Sequence, residues 1–380
     1  MAQNDIQLVS SGLSEANSNL PWEIRRWTLT EGHSTGVEVV ELKQGDFSFR
    51  VLPTRGMGIW DAHVGEQRIG WNSPVKAPVH PAFVNAKTRN GLGWLDGFNE
   101  LMCRCGLSYF GPPGTDTGMD SPVESDVTLH GKIANLPAHS ISFIEGENDE
   151  IGLKGIVDES SLFGPQLQLE STITTRLGEN SIFVRDRITN LGSSATELSL
   201  LYHTNIGPAI LGEGSRFSIP AKQVLPNNAR SAEDVDTYET YLAPTEGYAE
   251  QVYFFETIAD ADGKTVALLE SLDRQTGFSV EFTKEQLPCF TQWKATQPLQ
   301  DGYVTGLEPG TNFPNFKSFE REQNRILQLA AGETYEIDLK FSVHTNSEEV
   351  SKVRERIAAI QGENEKTIST DPELPYCQVK

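Results

Sequence analysis

Apolar and polar residues alternate with a period close to two over most of the 380-residue chain, and Gly, Asn and Asp break the alternation at short intervals. This is the pattern of antiparallel strands packed on one face and joined by tight turns. GVEVVELKQGDFSFRVLP predicts two strands around Lys43, Gln44, Gly45 and Asp46. LQLESTITTRLGENSIFVRDRITNLGSSATELSLLYHTNIG predicts three more, broken at LGEN and NLGSS, where Gly and Asn supply the backbone angles of a turn. TVALLESLDRQTGFSVEFTKEQLPCFTQWK continues the meander and YEIDLKFSVH closes it. One helix stands out. In SEEVSKVRERIAAI, Val350, Val353, Ile357 and Ile360 fall on one stripe, with Asn346 or Ser347 as N-cap and Gly362 past the end.

The organisation expected is therefore all-β with few helices. Residues 1–25 form an N-terminal segment that is loosely ordered, 26–345 a single β-sandwich domain, 346–361 the C-terminal helix and 362–380 a polar tail. No linker, composition shift or repeat divides the middle. Between Pro74 and Pro137 the alternation weakens, and Trp, Phe, Arg, His and many glycines gather there. Irregular backbone of this kind carries binding loops, so this stretch is expected to line a cleft.

Charge narrows the partner. Lys and Arg number 31 against 53 Asp and Glu, a net charge of −22, which disfavours nucleic acid or an anionic membrane and favours a small molecule. Four cysteines form no CxxC pair and no N-x-Ser/Thr acceptor occurs, so reduced, buried thiols are expected. The N-terminus has neither a basic start nor an apolar core, and no run approaches the ~18 apolar residues of a membrane span. A soluble, cytoplasmic protein is the expectation, with its oligomeric state open.

Among the seven histidines, His33 and His63 lie beside Gly in turns and His344 ends a strand near the helix. His130 and His203 differ, because each closes a strand-like run (DVTLH, LSLLYH) and is followed by small or polar residues; either could equally be a satisfied core histidine. In GYVTGLEPGTNFPNF, Glu308 is expected to end a strand, with Pro309 and Gly310 turning the chain directly after it. A histidine and a carboxylate together can move two protons in opposite directions, which suits sugar chemistry. The chain has no G-x-S-x-G elbow, P-loop or H-E-x-x-H. Cys103 and Cys105 flank Arg104 and would share one strand face, a weak metal signal. A metal site from His130, His203 and Glu308 is conceivable, but nothing in the spacing requires it.

LHGK (Leu129 to Lys132), LLYHTNIG and GLEPGTN resemble, in that order, three segments of the aldose 1-epimerases, the galactose mutarotases. The wording of GLGWLDGFNELMCRCGLSYFGPP, LHGKIANLPAH, LYHTNIGP and LEPGTNFP is closest to an uncharacterised branch of that family known only as a domain of unknown function. The resemblance spans about residues 35 to 345 and implies a galactose mutarotase-like β-supersandwich of large antiparallel sheets with a sugar cleft on one side. It implies a carbohydrate mutarotase that interconverts α and β anomers of an aldose without cofactor or metal. By carry-over His203 would protonate the ring oxygen and Glu308 would take the proton of the C1 hydroxyl. His130 would bind near the ring oxygen and Arg104, with Arg89 as rival, would be the binding arginine.

The segment KIANLPAH departs from the family pattern after Leu-His-Gly, and the family's binding Asp has no counterpart. Trp293 and Lys294 are the candidates for that work, as apolar platform and hydroxyl donor. Asn205 and Asn312 are further candidates, each of which could equally stabilise a turn. Two other readings stay open: a non-catalytic sugar-binding protein, and a lyase or isomerase acting on a modified sugar in the same cleft.

Overall fold

The computed structural model describes residues 6–14, 19–118 and 125–378. Among the described residues two large, almost wholly antiparallel sheets face each other, one of fourteen strands and one of eight. Their inner faces interdigitate in a single apolar core that joins Val40, Leu42 and Leu200 of the larger sheet to Leu153, Leu169 and Val184 of the smaller. The alternation is plain in the strand Gln166–Arg176, where every second residue from Leu167 to Ile173 is buried. Each buried Leu, Ile or Val contributes roughly 1.5–3 kcal/mol relative to exposure.

The strands expected from the sequence are present: Glu38–Gln44, Phe47–Leu52, Gln166–Arg176, Ser181–Asn190, Thr196–Ile206, Lys264–Glu270, Gly277–Thr283, Cys289–Ala295 and Thr334–His344. The helix Ser347–Gln361 is capped by Asn346, whose side chain accepts from the Glu349 N–H. Val350 and Ile357 of this helix pack on Val266 and Leu268, with Val353 and Ile360 alongside. No helix among the described residues is long and apolar enough to cross a membrane.

Both chain ends carry regular structure. Gln7–Ser14 pairs with Leu20–Thr28 at one edge of the larger sheet. Beyond the helix, Thr367–Ile368 adds a short parallel strand at the other edge, and Cys377 is buried against Phe254, Cys289 and Phe313.

Two boundary expectations are corrected. His203 does not end its strand, which runs on to Ile206, and Glu308 does not end its own, which includes Pro309 and Gly310. Both strands lie mid-sheet and are covered on both faces, so their runs of buried residues continue past the polar interruption. His130 follows only a two-residue strand, Asp126–Val127, and sits in a turn.

Candidate active site

The middle of the larger sheet runs in the order Met102–Leu107, Thr196–Ile206, Val304–Gly310, Cys289–Ala295 and Gln251–Thr257. Its register pairs His203 with Cys103 and Glu308 with Thr291. The pairing of Leu201 with Gly310 and Thr204 with Leu307 puts His203 opposite Glu308. Cys103, His203, Glu308 and Thr291 thus form one row across four strands, on the face away from the other sheet. Leu198, Leu200 and Tyr202, of opposite parity, enter the core between the sheets. This answers why an imidazole interrupts an apolar strand: it belongs to the strand's other face.

His203 Nε2 lies 3.3 Å from Glu308 Oε1. The contact is not a hydrogen bond, and Oε1 is buried without a donor. On its far side, His203 Nδ1 stands 2.9 Å from Asn205 Oδ1. Gly306 makes room for the carboxylate, since a Cβ there would fall 2.1 Å from Glu308 Oε1. Burial pushes His203 well below the usual histidine range; His130 adds to this and the Asn205 hydrogen bond opposes it. Burial pushes Glu308 well above the usual carboxylate range, and Glu250 adds to it. Both groups therefore favour their uncharged forms.

His203, Glu308 and Thr291 of this row line a cleft of about 1130 Å³ walled by Trp71, Trp94, Phe98, Trp293 and Phe316. The irregular segment after Pro74 supplies much of the wall, including Trp94, Phe98 and His130. His130 has a left-handed backbone, φ 56°, a conformation costing a non-glycine residue roughly 1–2 kcal/mol. It is held by its N–H to the Gly111 carbonyl and by its carbonyl, which accepts from the Gly106 N–H. Gly131 must follow, because a Cβ there would meet the Tyr109 carbonyl oxygen at 2.1 Å. The His130 ring stands 5.6 Å from that of His203, and Trp94 stands 4.9 Å from His130. Burial lowers the His130 pKa to about 4.

Five lining residues each bury a polar atom that has no partner: Trp94 Nε1, His130 Nδ1, Asn227 Oδ1, Thr291 Oγ1 and Glu308 Oε1. Buried polar atoms are normally satisfied, so five in one cleft mark a place for a polar ligand. Sequence reasoning missed Trp94 and Thr291 as site residues. The aromatic loop GLGWLDG was a signal for Trp94, whereas Thr291 carries none until the register places it beside Glu308.

Three expected binding residues do not reach the cleft. Arg104 lies on the opposite strand face from Cys103 and crosses to the second sheet, where it meets both oxygens of buried Asp186 at 2.5 and 2.9 Å. It also donates to Ser171 Oγ and to the carbonyls of Gly56 and Met57. Lys294 likewise faces away from its neighbour Trp293 and donates to the Thr240 carbonyl at 2.7 Å beneath the sheet. Asn205 supports His203 and lies outside the cleft lining, its amide nitrogen donating to the carbonyls of Glu100 and His203. Trp293 does line the cleft, with Nε1 donating to Glu250 at 2.7 Å. Arg89 is exposed and paired with Asp96. Asn312 is turned into its own loop, where it bonds Thr311 and the Phe313 carbonyl. Cys103 and Cys105 are buried free thiols, raised in pKa by burial. Among the described residues no three His, Cys, Asp or Glu side chains stand close enough to hold one ion.

Residues 34–343 match the family described as domain of unknown function DUF4432. No protein of curated function matches. The crystal structure of a candidate aldose 1-epimerase from Klebsiella pneumoniae is similar along 97% of this chain and 98% of its own, with 33% identity and a TM-score of 0.90. A galactose mutarotase-like protein from Clostridium acetobutylicum shares 17% identity over 85% of this chain and 98% of its own, with a TM-score of 0.57. A galactose 1-epimerase from Lactobacillus acidophilus shares 12% identity over 86% of this chain and 99% of its own, with a TM-score of 0.56. With two facing antiparallel sheets and a family match covering most of its length, the chain belongs to the DUF4432 family, a branch of the aldose 1-epimerase-like proteins with the galactose mutarotase-like fold.

Proposed function

We propose that the chain is a mutarotase that interconverts the anomers of an uncharged aldose. The observation that carries this is the contact between His203 and Glu308 on the cleft floor, among buried polar atoms that lack partners. In a cyclic aldose the ring oxygen and the anomeric hydroxyl share one carbon. An adjacent acid and base can therefore protonate the first while deprotonating the second. The C1–O5 bond breaks, an aldehyde forms, C1 turns, and closure on the other face returns both protons. Trp94, His130 and Thr291 would meet sugar hydroxyls, and the faces of Trp71, Phe98 and Trp293 the apolar side of the ring.

Charge supports an uncharged substrate. Glu250, Asp301 and Asp371 also line the cleft, in a chain of net charge −22, so phosphate or carboxylate substituents would meet repulsion. The volume exceeds the roughly 300–1,000 Å³ of an ordinary small-molecule site, leaving room beyond one sugar ring.

The test is anomer exchange followed by NMR across neutral aldoses, sugar phosphates and uronic acids. Neutral aldoses should exchange faster with enzyme, and His203→Ala and Glu308→Gln should each lower the rate by roughly 10²–10⁴-fold. Sugar binding without faster exchange would instead establish a binding protein.

A further inference from the structure

The cleft runs across the strands of the larger sheet and extends well past the pair on its floor. Beside the row that holds His203, Glu308 and Thr291, a second row on the same face joins Gly306 to Trp293 and Trp293 to Val252. The Asn227 N–H donates to the Val252 carbonyl, so Asn227 carries this row one strand further, just past the end of Ala221–Pro226. Trp293, Val252 and Asn227 line the same cleft as His203 and Glu308. From the Glu308 strand to the Asn227 strand is three strand spacings of about 4.8 Å, roughly 14 Å in all.

The unpartnered polar atoms of the cleft therefore fall into two groups. Trp94 Nε1, His130 Nδ1, Thr291 Oγ1 and Glu308 Oε1 gather around His203, within the reach of one sugar ring. Asn227 Oδ1, buried and accepting no hydrogen bond, stands at the other end, beyond that ring. A buried acceptor calls for a donor. Trp293 spans the interval: its ring lies 5.4 Å from that of His203, and its Nε1 reaches Glu250 at 2.7 Å. This half-buried indole offers an apolar platform to a second ring. The last residues of the chain close the far end. Thr367–Ile368 pairs beside Gln223 and Val224, and Gln223 Nε2 donates to Ser369 Oγ and Glu373 Oε1, which brings Asp371 and Pro372 to the cleft wall. Among the described residues the lining includes acids and amides but no Lys or Arg, so the space beyond the first ring also suits an uncharged group.

We propose that the substrate is a neutral disaccharide or longer oligosaccharide. Its reducing unit sits over His203 and Glu308, its next unit lies along Trp293, and a hydroxyl past the first ring donates to Asn227 Oδ1. This rests on the mutarotase reading and names the class of aldose. The chemistry stays at the reducing unit, which alone has a free anomeric hydroxyl. The second unit adds binding through one hydrogen bond and a ring contact, and that binding is read in kcat/KM.

The test compares anomer exchange of the aldose the full-length protein turns over fastest with that of disaccharides carrying it as the reducing unit. For glucose these are maltose, cellobiose, lactose and melibiose. At least one disaccharide should exceed its monosaccharide in kcat/KM by about 10-fold or more, for a hydrogen bond and a ring contact together. Asn227→Ala should lower that ratio roughly 3- to 10-fold, the loss of one hydrogen bond. Ala229 is exposed on the far wall, so Ala229→Trp should fold normally and fill the second unit's space. It should lower disaccharide kcat/KM at least as much and leave monosaccharide exchange at the wild-type rate. A monosaccharide turned over as well as every disaccharide, or a ratio that neither substitution moves, would overturn the proposal. If no aldose of either length exchanges faster with protein, the mutarotase reading fails, and titration calorimetry with the same sugars decides the extended site by itself. Tighter binding of a disaccharide that Asn227→Ala weakens would support it, and equal binding of both lengths would overturn it.

Discussion

Arg104→Met separates the role the structure gives this arginine from the sugar-binding role suggested by resemblance. The native guanidinium makes two bonds to Asp186 (2.5 and 2.9 Å), one to Ser171 and two to backbone carbonyls, with no part of either charged group in water. Methionine keeps much of the apolar stem but leaves Asp186 with the Tyr202 hydroxyl, at 2.7 Å, as its side-chain donor between the sheets. Removing one partner of a buried ion pair costs roughly 3–5 kcal/mol. For a urea slope of about 3 kcal/mol/M, that lowers the unfolding midpoint by on the order of 1–2 M. The assay is urea unfolding followed by tryptophan fluorescence, with KM for an active aldose measured under native conditions. Asp186→Asn in the same background removes the stranded charge, so the double variant should lose less stability than the sum of the two single losses. A raised KM with an unchanged midpoint would refute the sheet-to-sheet role and restore Arg104 as a sugar ligand.

Three further outcomes follow from the geometry. Gly306→Ala puts a methyl group 2.1 Å from Glu308 Oε1, so the carboxylate must swing away. Anomer exchange should fall at least about 100-fold, as for loss of an acid–base group, with a stability change within about 1 kcal/mol by thermal unfolding. Thr291→Val and Trp94→Phe each delete a cleft donor that has no partner in the unliganded protein; titration calorimetry should give roughly 3- to 10-fold weaker sugar binding, one ordinary hydrogen bond each. Burial lowers Lys294 from 10.5 to about 8. Between these values the unfolded chain binds more protons than the folded one, so wild-type stability should rise as pH climbs through this window, by on the order of 3 kcal/mol. Lys294→Met should remove that rise in urea midpoints measured from pH 8 to 10.5; an equal rise in the variant would refute it.

Much of the sheet architecture was legible because a half-buried strand writes its two faces into alternate residues. The same rule exposes two errors. Cys103 and Arg104 are adjacent in one strand, as are Trp293 and Lys294, so neither pair could place both members in the cleft. Parity could have excluded Arg104 once Cys103 was aligned with His203, but that alignment is a register between segments a hundred residues apart, which no local pattern carries. The strand ends at His203 and Glu308 were misplaced for a related reason: a polar residue in an apolar run looks like an end when the strand's outer face is a cleft.

The sequence by itself determined that the chain is a single β protein with an acidic surface, where most strands and the last helix lie, and that His130, His203 and Glu308 were the residues to watch. Tertiary structure alone decided that Cys103, His203, Glu308 and Thr291 share a row, that Asn205 turns its oxygen to the imidazole, and that Trp94 folds over the same floor. Alternation is a local consequence of strand geometry and survives in one dimension. The site is assembled by cross-strand register and by loops returning from distant parts of the chain, and these are set by the packing of the two sheets.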